Sequence, residues 1–101
     1  MSPPGKSQRP SPTETATTED LAPAIKRELR RLGRRLREAR QARGLTQEQA
    51  AEVMGLHPKY MPRLEGGTAN PTVATLVAAS VAYDVALSEL FAEPHDEDAA
   101  T

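Results

Sequence analysis

Leu45-Thr-Gln-Glu-Gln-Ala-Ala-Glu-Val-Met-Gly-Leu-His-Pro-Lys-Tyr-Met-Pro-Arg-Leu-Glu65 is the stretch whose reading decides the fold. Thr46, with Gln49 three residues on, has the pattern of a reciprocal N-terminal cap and predicts a helix of about eight residues. Ala50, Val53 and Met54 are its expected inward residues, and Gly55 ends it. Leu56 then packs ahead of a further helix expected over 57–65, opened by Pro58 at a first-turn position where a missing N–H costs nothing. Met61 and Leu64 turn inward there, while the outer side carries polar and basic residues. Pro62 conflicts with that span: inside a regular helix it costs roughly 3 kcal/mol.

Upstream, Ile25, Leu29, Leu32, Leu36 and Ala39 form one stripe of a helix expected over Ala24 to Arg43. Lys26, Arg27, Arg30, Arg31, Arg34, Arg35 and Arg37 fall on the opposite face. Arg40 is the one arginine that flanks the buried stripe. Gly44 supplies a stop, and Gly33 leaves open either one long helix or a short one leading into another. Downstream, Gly66, Gly67, Asn70 and Pro71 make a turn-rich loop, and Thr72 caps a helix with Val73, Leu76, Val77, Ser80 and Tyr83 on one face. A last short helix holds Leu87, Leu90 and Phe91. No alternating strand pattern interrupts this order, so the expected fold is all-α with five helices.

The chain has 101 residues, room for one domain. Residues 1–21, rich in Pro, Ser and Thr, have almost nothing to bury and read as a disordered arm. The core must come from residues 22–92, and residues 93–101 read as a disordered acidic tail. There is no cysteine, hence no disulfide or thiolate site. No apolar run reaches membrane-spanning length and no leader pattern opens the chain, which leads to the expectation of a cytoplasmic protein with no membrane partner. The net charge of −1 hides a segregation. Residues 24–66 carry eleven Lys or Arg against five acids, whereas residues 67–101 carry six acids and no base. Such a basic half attracts polyanions despite the near-neutral total.

A helix that reads DNA must stand off its domain to enter a groove about 12 Å wide, which two short helices around a glycine turn allow. Leu32-Gly-Arg-Arg-Leu, Gly44 through Leu56, Arg63-Leu-Glu-Gly-Gly-Thr-Ala-Asn-Pro-Thr and Val85-Ala-Leu-Ser-Glu-Leu-Phe91 together resemble the phage-repressor/Cro-type (XRE) helix-turn-helix family over about residues 32–91. The resemblance implies a five-helix lambda-repressor-like domain with the helix-turn-helix in helices two and three. It implies that Gln47 contacts a DNA phosphate, that Pro58, Lys59 and Arg63 face base edges, and that His57 and Tyr60 lie near phosphates. Ala51 is then the small residue between the two helices and Gly55 the turn glycine. Arg40 and Glu65 match a structural ion pair of the family, in line with the position of Arg40 on the helical wheel. Pro58 departs from the pattern, since it can touch a thymine methyl but cannot hydrogen-bond a base. The loop at 66–70 lacks the family's basic residues, and Ala50 and Ala86 stand where a Leu and a polar cap are usual.

The expected function is a sequence-specific DNA-binding transcriptional regulator, a repressor, binding double-stranded DNA as a homodimer. Leu87, Leu90 and Phe91 are either its dimer surface or part of the monomer core. An alternative is a protein-binding module, such as an antitoxin-like partner with secondary DNA binding, motivated by Pro62 and the charge segregation. A third reading has the 26–37 arginines bind polyanions without sequence preference. An enzyme is not expected: no phosphate loop, activated nucleophile or metal spacing is present. His95-Asp-Glu-Asp98 lacks the fixed geometry of a metal site, so no metal or cofactor is expected either.

Overall fold

A computed structural model describes residues 18–92 of the chain. Five helices follow in order: α1 (Thr18–Ala42), α2 (Gln47–Met54), α3 (Tyr60–Glu65), α4 (Val73–Tyr83) and α5 (Leu87–Leu90). No strand occurs among the described residues. Helix α1 packs against α3, α4 and α5, and α2 packs against α3 and α4. The core gathers Leu32, Leu36, Ala50, Ala51, Met54, Met61, Leu64, Leu76, Ala79, Tyr83 and Leu90. Most of the arm expected at 1–21, and all of the tail expected at 93–101, lie outside the described residues.

Helix α1 corrects the helix start placed at Ala24. It begins at Thr18 and carries exposed Pro23 inside it. Only its second half reaches the core: Leu32 and Leu36 are buried, Leu29 and Ala39 half-buried, and Ile25 is 52% exposed. The stripe is continuous, but the helix outruns the layer it packs on. Gly33 does not interrupt α1. It is the point where α1 crosses the end of α3, and a methyl there would run into the Glu65 carbonyl oxygen and lie 2.8 Å from that of Leu64.

The cap of α2 closes both ways, Thr46 Oγ1 accepting from the Gln49 N–H at 3.0 Å and Gln49 Oε1 from the Thr46 N–H at 2.9 Å. Gly55 ends the helix at φ 71°, where a side chain is strained. The Leu56 N–H then reaches back to Ala51 O at 2.8 Å. Val53 is exposed, against expectation. The buried arc is centred between Ala50, Ala51 and Met54, and Val53 lies about 110° from that centre. The same arc includes Gln47, which is half-buried.

The helix expected over 57–65 is shorter: α3 starts at Tyr60 and residues 57–59 form the turn before it. Turn bonds from Tyr60 N–H to His57 O and Met61 N–H to Pro58 O lead into it. Pro62 is thus the third helical residue, in the first turn, where an N–H has no intrahelical acceptor. The conflict that Pro62 posed disappears, and with it half of the motive for a protein-binding module. Met61 and Leu64 are fully or almost fully buried.

Thr72 caps α4 by accepting from the Thr75 N–H at 3.1 Å. Leu76, Ala79 and Tyr83 form its buried face, whereas Val73 and Val77 are exposed and so leave the face assigned to them. Of the three residues held open for a dimer surface, Leu90 is buried and Leu87 half-buried, which places them in the monomer core. Phe91 stays 44% exposed.

Gly33→Ala tests the crossing. Glycine to alanine in an open helix stabilises by roughly 0.5–1 kcal/mol. Here the methyl has no room, so urea unfolding should show a loss of roughly 1–3 kcal/mol, the opposite sign.

Candidate nucleic-acid interface

The residues singled out for DNA fall on one continuous stretch, α2–turn–α3, with Gln47 at its start and Arg63 near its end. His57, Pro58, Lys59 and Arg63 are exposed. Tyr60 is half-buried and packs against the core with its neighbour Leu56. His57 shapes the turn, its Nδ1 accepting from the Lys59 N–H at 3.1 Å. No side chain caps α3: Lys59 stands at the N-cap, and an ammonium has no acceptor to offer an N–H. At the other end of α3 the Arg63 carbonyl accepts from Thr68 N–H at 2.9 Å and Ala69 N–H at 3.2 Å, fixing the loop that follows.

Beneath this exposed surface lies a buried network. Arg40 Nε and Nη2 donate to the two Glu65 carboxylate oxygens at 2.6 and 3.0 Å, a bidentate pair. Arg40 Nη1 donates to Leu45 O at 2.7 Å, holding the α1–α2 turn. Gln47 Nε2 donates to Glu65 Oε1 at 3.1 Å. Both charged residues are 8% exposed. The hydrogen bond to Glu65 raises the Arg40 guanidinium above its ordinary range, overriding the opposing effect of burial. One carboxylate at the end of α3 thereby ties α1, the α1–α2 turn and the first residue of α2.

Tyr83 brings α4 to the same place. It is 1% exposed and its hydroxyl has no hydrogen-bond partner among the described residues. Burial, reinforced by the Glu65 charge, pushes the phenol up to about 12. The sequence marked Arg40 and Glu65 but not the inner roles of Gln47 and Tyr83. The place of Gln47 on the buried arc of α2 was the available signal. Tyr83 read only as core.

The outer face of α1 is a second basic surface. Lys26, Arg27, Arg30, Arg34 and Arg37 are exposed. Arg31 pairs with Glu28 at 2.6 Å, a partly exposed pair of small energetic weight. Among the described residues no helix is long and apolar enough to cross a membrane, and no cluster of metal-ligating side chains occurs. The segment His95–Asp98 lies outside them.

A family model described as a helix-turn-helix domain matches residues 31–92. Over 66 residues the chain is 39% identical to the HTH-type transcriptional regulator PuuR of Escherichia coli K12, a match over 65% of this chain and 36% of that one. The chain therefore spans little more than a third of the length of that curated relative. The structure resembles the restriction-modification controller protein C.AhdI of Aeromonas hydrophila with a TM-score of 0.60 and 38% identity, over 62% of this chain and 96% of that one. It shares its fold with a helix-turn-helix transcriptional regulator of Vibrio cholerae, with a TM-score of 0.61 and 24% identity over 66% and 38% of the two chains.

Two substitutions probe the buried network. Glu65→Ala leaves Arg40 buried and unpaired, and denaturant unfolding should show a loss of about 3–5 kcal/mol. Tyr83→Phe removes only an unpartnered hydroxyl, so stability at pH 7 should change by less than about 1 kcal/mol. The variants diverge from wild type in alkali. The folded phenol titrates near 12 and the unfolded one near 10, so between those pH values the unfolded state loses its proton first. Wild-type stability should fall by roughly 2–3 kcal/mol across that window, and the Phe variant should lack that share of the loss.

Proposed function

The chain belongs to the helix-turn-helix domain family, and on that premise we propose that it is a sequence-specific DNA-binding transcriptional regulator acting as a repressor. The observation that carries the reading is the placement of His57, Pro58, Lys59 and Arg63 on the exposed side of a turn and helix whose inner side is locked to the core by Glu65. Arg63 is the residue suited to base recognition, since a guanidinium donates twice to guanine. Lys59 faces base edges beside it, and Pro58 offers apolar contact to a thymine methyl. His57 and Tyr60 serve neighbouring phosphates. Gln47, at the first turn of α2, has one amide hydrogen on Glu65 and a second available for a phosphate oxygen.

The named relatives support this assignment: PuuR is a transcriptional regulator and C.AhdI controls a restriction-modification system. The reading includes a homodimer, because two copies related by a two-fold axis place their recognition helices one turn of DNA, about 34 Å, apart. It places the protein in the cytoplasm with the chromosome.

Fluorescence anisotropy with duplexes from the protein's own promoter region and with random duplexes tests the reading across a salt series. Arg63→Ala should weaken promoter binding by about 1–3 kcal/mol and leave random-sequence binding nearly unchanged. Gln47→Ala should weaken both alike, as loss of a phosphate contact does. Equal affinity of wild type for promoter and random DNA contradicts specific readout.

A further inference from the structure

The outer face of α1 lies outside the α2–turn–α3 stretch that carries the candidate interface. Among the described residues Lys26, Arg27, Arg30, Arg34 and Arg37 have no hydrogen-bond or ion-pair partner. Arg27, Arg30, Arg31 and Arg34, with Glu28, line a shallow hollow of about 320 Å³. The family match begins at residue 31, so the first half of this face lies ahead of it.

After α5 the chain comes back to this helix. Arg35 Nη2 donates to the Ala92 carbonyl at 3.3 Å, which sets the departure point of the following segment beside the arginines. That segment is Glu93-Pro-His-Asp-Glu-Asp98, with four carboxylates and no Lys or Arg. Arg35, Arg31, Arg27 and Arg34 lie within about 100° of the circumference of α1, as a path leading from the departure point. From Arg34 to Arg27 is about 10 Å along the helix, and four to six extended residues reach about 13–20 Å from Ala92. Tethering adds an effective concentration in the millimolar range, so ion pairs that are individually weak act together.

We propose that the segment Glu93–Asp98 docks on the face formed by Arg27, Arg30 and Arg34 and shields those guanidiniums from nucleic-acid phosphates. The shielding confines attraction for DNA to the α2–α3 surface and lowers binding to arbitrary sequence. The docking itself does not rest on the DNA-reading role, and its first test contains no DNA.

The full chain is compared with the variant Glu93→Gln, Asp96→Asn, Glu97→Gln and Asp98→Asn by two-dimensional NMR, at about 50 mM and about 500 mM salt. The expected differences lie at backbone amides and arginine Nε–H groups of residues 26–37, and they disappear at the higher salt. In a background of Arg27→Gln, Arg30→Gln and Arg34→Gln the tail substitutions should produce no such differences. On random-sequence duplex at about 50 mM salt, neutralising the tail should tighten binding about three- to tenfold, and the arginine triple variant should abolish that gain. The proposal is overturned by an unchanged α1 at low salt or by differences centred on Lys59 and Arg63. Perturbation of α1 only on adding duplex also overturns it, and gives the face to DNA. Docking without any change in affinity for random duplex overturns the shielding.

Discussion

The carboxylate of Glu65 is the constraint on which the rest of this structure depends. It sits at the end of α3, almost removed from water, and a lone buried carboxylate is costly. Arg40 resolves the cost with two hydrogen bonds and spends its remaining reach on the Leu45 carbonyl, so satisfying one charge also fixes the entry to α2. Gln47 adds a third bond to the same carboxylate. The helix that presents Arg63 is therefore set by a rigid bidentate contact to α1 and not by packing alone. With six residues, α3 is too short to hold itself in place. Its orientation comes from Met61 and Leu64 below, the Glu65 pair at its end and the close crossing at Gly33.

Much of this was legible in the sequence because the signals are local. A Thr and a Gln three residues apart define the start of α2, and Gly55 defines its end, through bonds among immediate neighbours. Arg40 stood out because, of the seven arginines between Arg27 and Arg40, it alone lay on the apolar side of a helical wheel. The candidate interface residues were legible as a frame, α2–turn–α3, while the contacts beneath them were less so.

The misses share a cause: local pattern does not say how wide the buried arc is or where the packed layer stops. Ile25 continues the apolar stripe of α1, but the helix extends beyond the core at that point. Val53, Val73 and Val77 are apolar and at plausible helical spacing, yet small alanines, Ala51 and Ala79, take the tight inner positions and the valines remain outside. Pro62 looked disruptive only while the helix was taken to begin at 57; three turn residues in place of helix make it compatible. Gly33 read as a weak point of α1 and is instead the contact that lets α1 and α3 meet. Charge segregation was visible throughout, whereas the return of the chain to α1 through Arg35 required three dimensions.

Specific reading of DNA by the α2–α3 surface is the central claim, and enrichment of a random duplex pool by the purified full-length chain tests it most directly. The expected result is a single motif with two related halves about 10 base pairs apart, centre to centre, as a two-fold pair of recognition helices requires. Recovery of sequences with no common motif, at salt where binding persists, contradicts it.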